Sequence, residues 1–354
     1  MNDPLNQLTA EEKLLLSLCR LDTRVELKAE ISLLMKNVKD WDHFVCLANK
    51  HGITALCWYN ITKTGNRINI PPGHLEKLHS YYLKNLVQNI FLCNQLDEII
   101  ELAKKNNIKI VLLKGIALEK SVYGNIGLRQ LSDIDILVKI GDAILLRNIL
   151  LENGYESIPL ISPLHKKILP YLKSHLPVMH RKGVMTEIHV SLFEQPGNDL
   201  TEDFNDTAYN IIETEPDLFY PQPQLFFLYL VKHLDKHEKK SNFQVKFYTD
   251  LFILLKVYHD QIINKMLFDY ARKANLENAL SEKLRLLESV WGIILPDSLH
   301  SYLEKVDSEM ISEKFIRFLR NPYTNLEDTE AESLFKPLKK IPGVFNKILP
   351  EILN

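Results

Sequence analysis

Asp133 and Asp135 stand one residue apart in "LRQLSDIDILV" (128–138), a run otherwise rich in Ile, Leu and Val. Removing a carboxylate from water is costly unless it is paired, hydrogen-bonded or bound to metal. Side chains alternate along a strand, so Asp133, Asp135 and Leu137 project to one face and Ile134, Ile136 and Val138 to the other. The same alternation in "MTEIHV" (185–190) puts Met185, Glu187 and His189 on one face. If the two strands are neighbours, Asp133, Asp135 and Glu187 converge. Their repulsion is relieved by hard divalent cations, and a pair of Mg²⁺ ions accounts for the arrangement. The competing reading is a solvated strand edge, with Arg129 pairing Asp133 and His189 a scaffold histidine.

A second constellation lies further on. His233 and His237 in "KHLDKH" sit at i and i+4, the spacing of a zinc pair, and Asp250 is available as a third ligand. No Glu follows His233 as a zinc protease would require, so a helix-packing or acceptor-pocket role competes with the metal. The aromatic run "LFFLYLV" (225–231) has core spacing. There is no Ser-His-Asp or Cys-His context and no Walker loop, and Gly124 and Gly127 form only an isolated turn.

The elements that must hold these residues follow from periodicity. Thr9 and Glu12 make a capping box before "KLLLSLCRL", "WDHFVCLANKHG" stops at Gly52, and a long helix runs from Gly73 to Lys105. "IKIVLLKG" (108–115) then reads as a short strand and "IALEKSVY" as a short helix. The strand "DIDILV" follows, then a helix over 142–153 and a hairpin over 177–193 turning at Lys182-Gly183. From Pro221 the pattern is helical again, and the tail "FKPLKKIPGVFNKILPEILN" is basic and amphipathic. The fold class is therefore α+β. A helical region (1–105) and a C-terminal helical domain (201–354) flank a small mixed-sheet α/β core (106–200).

Composition narrows the partners. The 354-residue chain has a formal net charge of -2, which leaves no footprint for a long nucleic acid. No apolar run reaches membrane-spanning length, the N-terminus is no signal peptide, and the four cysteines match neither a zinc pair nor a disulfide framework. A soluble cytoplasmic protein with buried, reduced thiols is expected.

"LLKG", "LRQLSDIDILV" and "TEIHV" together resemble the nucleotidyltransferase superfamily of DNA polymerase β, and more narrowly its branch of uncharacterised bacterial nucleotidyltransferases. "KHLDKH" and "TDLFILL" fit that branch, and the likeness covers about residues 95–260. The resemblance implies transfer of a nucleoside monophosphate from an NTP to an acceptor hydroxyl, with release of pyrophosphate and dependence on Mg²⁺ or Mn²⁺. Asp133 and Asp135 would hold both metals and Glu187 would complete the second site. Gly115 would let backbone N–H groups approach the phosphates, with Lys114 and Arg129 supplying charge. Ser132 would donate to a phosphate oxygen or to Asp135. His189, His233, His237 and Asp250 are candidates for substrate contact. Small molecules or proteins are favoured as acceptor, and a catalytically inactive nucleotide-binding or regulatory protein on the same fold is the alternative.

Overall fold

Pro72 opens the longest helix at a position where its missing N–H is of no consequence, and Asn106 ends it. This and the other elements come from a computed structural model that describes residues 4–21, 25–159, 174–193, 209–212, 215–240, 242–303 and 306–321. The expected basic tail lies outside those residues. The N-terminal helices are α1 (Ala10–Ser17), α2 (Val25–Asn37), α3 (Trp41–Lys50), α4 (Thr54–Lys63) and α5 (Pro72–Lys105). The Thr9–Glu12 capping box is formed on α1, and Gly52 turns the chain after α3 with φ +70.

The core follows in the order β1 (Val111–Leu112), α6 (Lys114–Leu118), β2 (Asp133–Leu137), α7 (Ile140–Glu152), β3 (Glu156–Ser157), β4 (Met179–Arg181) and β5 (Val184–His189). Lys182 and Gly183 both take positive φ between β4 and β5, the twist that a two-residue hairpin needs. After residue 200 the first described elements are strands: β6 (Tyr209–Ile212) and β7 (Glu215–Pro221) join the sheet ahead of the C-terminal helices. Its order is β3-β4-β5-β2-β1-β7-β6. β7 runs parallel to β1, whose register partner Phe219 lies in a run too short to separate from a buried helical turn by periodicity.

Six helices follow among the described residues: α8 (Pro223–Lys239), α9 (Val245–Ile262), α10 (Lys265–Lys273), α11 (Glu277–Trp291), α12 (Asp297–Leu303) and α13 (Ser308–Arg320). One apolar cluster runs from Leu14 through the sheet residues Val111, Ile134, Ile136 and Ile188 to Leu319. The mixed α+β architecture, with helical regions on both sides of the sheet, is thus the one expected. All four cysteines are free; Cys19, Cys57 and Cys93 are buried, whereas Cys46 is exposed. No helix among the described residues is long and apolar enough to cross a membrane.

Candidate active site

β2 and β5 are parallel neighbours, and the register sets Asp135 directly beside Glu187 and Leu137 beside His189. The entry to β2 is fixed from outside the sheet. On α5, Asn85 donates to the Gly127 carbonyl (2.6 Å), Gln88 to the Leu131 carbonyl (3.1 Å) and Asn89 to the Arg129 carbonyl (2.7 Å). The long helix therefore clamps the loop that leads into the Asp-x-Asp strand. Lys114, at the junction of β1 and α6, has φ 48. A non-glycine residue held in that region costs about 1 kcal/mol or more, and such strain collects at functional sites.

Lys114 Nζ donates to Asp135 Oδ1 at 2.6 Å and to Glu187 Oε2 at 3.3 Å. His189 Nε2 meets the same two oxygens, at 2.8 Å and 3.2 Å. An ammonium and an imidazole thus bridge two carboxylates that lie side by side. Burial alone would lower the Lys114 pKa, but the charges of Asp135 and Glu187 and the hydrogen bond to Asp135 outweigh it and hold the ammonium protonated. Burial opposes protonation of His189 as well, and its bonds to Asp135 and Glu187 reverse the balance and raise its pKa. For Glu187 burial works upward, yet the His189 bond and the Lys114 charge bring its carboxyl well below the usual range. Asp133 goes the other way. Burial and then the neighbouring Asp135 charge raise its pKa, and its only hydrogen bond among the described residues comes from Ser132 Oγ at 2.9 Å.

Asp135, Glu187 and His189 can hold a metal ion: one ligand atom from each lies within 4.8 Å of the others. The donor set, two carboxylate oxygens and an imidazole nitrogen, suits a divalent cation, whose charge would take the place of the one Lys114 now supplies.

Other expected site residues are placed differently. Arg129 Nε and Nη2 donate to the two oxygens of Asp250 at 2.9 and 2.8 Å, and Tyr123 Oη donates to Asp250 Oδ1 at 2.8 Å. Arg129 and Asp250 are 8% and 1% exposed, so this is a buried, fully bonded pair. The sequence suggested Asp133 or a phosphate as the partner of Arg129; the structure gives Asp250. Gly115 serves the same contact. A Cβ there would collide with Arg129 Nη1 and lie 2.8 Å from Cζ, so its small size makes room for the guanidinium. Ser132 donates to Asp133, not to Asp135.

His233 and His237 stand side by side on α8, ring centroids 4.4 Å apart, with the Phe247 ring stacked on His237 at 4.6 Å. His237 Nδ1 donates to the Asn242 carbonyl at 3.2 Å. Burial keeps both imidazoles neutral, His237 with its pKa pushed down to about 4. They do not join Asp250 in a cluster, because Arg129 and Tyr123 occupy that carboxylate.

Two residues that sequence reasoning passed over border the carboxylates. Tyr229, read as core, is 4% exposed, and its ring lies edge-on to His189 with centroids 6.3 Å apart. Its pKa is raised, first by burial, and its hydroxyl lies in the fields of Lys114, Asp135, Glu187 and Asp133. The available signal was its place four residues before His233, on the same helical stripe. His175 pairs through its backbone with His189, with ring centroids 5.5 Å apart. It lies outside every motif in the sequence.

A mixed sheet carrying clustered carboxylates on adjacent parallel strands defines a class of protein able to hold a divalent cation at a strand-end site. The chain belongs to the family of uncharacterised nucleotidyltransferases, whose family model matches residues 37–292. Among solved structures it is similar to ANT(2″)-Ia in complex with adenylyl-2″-tobramycin, at 10% identity and TM-score 0.37, covering 51% of this chain and 95% of that one. No curated protein matches the chain.

Proposed function

We propose that this chain transfers a nucleoside monophosphate from an NTP to the hydroxyl of a small molecule or protein, releasing pyrophosphate, with Mg²⁺ or Mn²⁺ as cofactor. The observation that carries the reading is the pairing of Asp135 with Glu187 on parallel strands, both bonded to Lys114. Asp133, Asp135 and Glu187 would hold the metal, which when bound supplies charge neutralisation at the phosphates and acidity at the acceptor hydroxyl. Lys114, once exchanged out of the carboxylate pair, is the cation best placed to follow the phosphates. Glu187, beside Asp135 in the register, would help orient or deprotonate the acceptor hydroxyl. The parallel strands keep the carboxylates in register, and α5 keeps the entry loop fixed. Family membership and four free cysteines suit an enzyme of the cytoplasm.

One observation favours the alternative of a nucleotide-binding protein without turnover: Lys114 and His189 already neutralise the carboxylates. Incubation with each α-³²P-labelled NTP, Mg²⁺ and a cell extract separates the two. Transfer of label to an acceptor, lost in Asp133→Asn, is the expected result. Saturable NTP binding with no transferred label from any of the four NTPs would establish the binding-only role.

A further inference from the structure

The strand pattern makes Asp133 the expected third ligand beside Asp135 and Glu187, but the structure puts an imidazole there. The register sets Asp133 beside Met185, Asp135 beside Glu187 and Leu137 beside His189. Asp135 therefore has Glu187 at its own level and His189 one step further along the same face. His189 Nε2 lies 2.8 Å from Asp135 Oδ1 and 3.2 Å from Glu187 Oε2. Among the described residues the group whose ligand atoms lie within 4.8 Å of one another is Asp135, Glu187 and His189. Asp133 is outside it, with its carboxylate bonded to Ser132 Oγ at 2.9 Å.

The imidazole is held from several sides. Its own carbonyl accepts from the Val138 N–H at 3.0 Å, which ties the end of β5 to β2. On the other side His175 bridges to His189, and the bonds Leu176 N–H to Ile188 carbonyl and Val190 N–H to Ser174 carbonyl flank that bridge at 2.9 Å each. The ring is 4% exposed and sits between the His175 ring at 5.5 Å and the Tyr229 ring at 6.3 Å. Lys114 Nζ shares the same two oxygens, at 2.6 and 3.3 Å, but an ammonium on a flexible four-carbon stem can withdraw. The packed ring stays. A cation that displaces Lys114 from this oxygen pair thus meets a nitrogen already in place.

That nitrogen bears on which cation fits. Mg²⁺ takes oxygen ligands and gives up its waters reluctantly, whereas imidazole favours first-row transition ions. We propose that His189 is a direct ligand of the cation held by Asp135 and Glu187, and that this site selects a first-row transition ion over Mg²⁺. The proposal rests on the nucleotidyltransferase reading for a cation being bound here, and deepens it by naming the class of metal.

The test uses the untagged full chain without nucleotide. Pulsed electron paramagnetic resonance of the Mn²⁺-loaded protein should show coupling to an imidazole ¹⁴N, lost in His189→Gln. Calorimetric titration with Mg²⁺, Mn²⁺ and Co²⁺ should find the Mn²⁺ and Co²⁺ affinities of His189→Gln lowered by about tenfold or more, with Mg²⁺ little changed. His189→Asp, which restores an oxygen ligand, should bind Mg²⁺ at least as well as the wild type and lose the preference for Co²⁺. Mn²⁺ bound to the wild type without ¹⁴N coupling would overturn the proposal, and that measurement needs no variant to fold. A coupling that persists in His189→Gln, or equal losses for Mg²⁺ and Co²⁺, would overturn it as well. Imidazole-coupled Mn²⁺ in a protein that transfers label from none of the four NTPs would uphold the ligand assignment and overturn the transferase reading instead.

Discussion

Asp133 and Asp135 share a strand and a motif, yet their environments predict opposite responses to loss of charge. Asp135 is 1% exposed and holds both Lys114 and His189. Asp133 is bonded to Ser132, and its proton is held more tightly than usual by burial and by Asp135. Asp135→Asn leaves the Lys114 ammonium with Glu187 alone and should cost about 3 kcal/mol of stability, as breaking a buried pair does. Asp133→Asn removes a repulsive charge and should leave the melting temperature level or slightly higher. Both should abolish nucleotidyl transfer. Equal stability losses in the two variants, measured by denaturant unfolding without metal, would show that charge repulsion is not what sets Asp133 apart. At this scale the sequence carried the residue types but not their partners. Asp133, Asp135 and Glu187 could be placed on one face because alternation is local. That Gly115 makes room for Arg129, and that Arg129 holds Asp250, depends on contacts across 121 positions of chain, which no spacing rule encodes.

The elements themselves were legible where their signals were local. The capping box of α1, the end of α3 near Gly52, the extent of α5 and the Lys182-Gly183 hairpin all follow from turn chemistry and periodicity. β6 and β7 were not, because β7 gains its strand character from pairing with β1 rather than from its own pattern. His51 illustrates how distant elements are joined by one side chain. At the end of α3, fully buried, its Nδ1 accepts from the Val245 N–H of α9 at 3.2 Å and its Nε2 donates to the Leu319 carbonyl of α13 at 2.9 Å. Only the neutral ring can do both. Burial accordingly pushes its pKa from 6.5 down to about 4. The unfolded chain takes up a proton below pH 6.5 that the folded chain refuses until about pH 4, so this group's contribution is present at neutral pH and lost as pH falls through that window. The loss is on the order of 3 kcal/mol at 1.4 kcal/mol per pKa unit. His51→Gln, less stable at pH 7, should show a shallower fall in stability between pH 6.5 and 4, measured by urea unfolding. Parallel curves for the two proteins would remove His51 from the acid response.

Across the whole molecule, the sequence marks out an N-terminal helical region at 1–105, and side-chain contacts join that region to the C-terminal helices. Trp291 Nε1 on α11 donates to the Leu16 carbonyl of α1 at 3.2 Å, Arg320 on α13 bonds Glu12 at 2.8 Å, and Gln244 donates to the Lys50 carbonyl at 3.0 Å. Together with His51 these bonds overlie one apolar cluster that includes residues from Leu14 to Leu319. A chain built this way should unfold as one unit, because opening either helical region uncovers the apolar face of the other. The three tryptophans make this measurable: Trp41 and Trp58 report on the N-terminal helices and Trp291 on the C-terminal ones. Guanidinium unfolding followed by the fluorescence of single-tryptophan variants and by far-ultraviolet circular dichroism should give coincident midpoints. A fragment of residues 106–354 should aggregate or lack a cooperative transition, since α11 and α13 would expose the surfaces that α1 and α3 cover. Two resolved midpoints, with the fragment soluble and melting sharply, would show that the sequence's compositional boundary near residue 105 is also a boundary of stability.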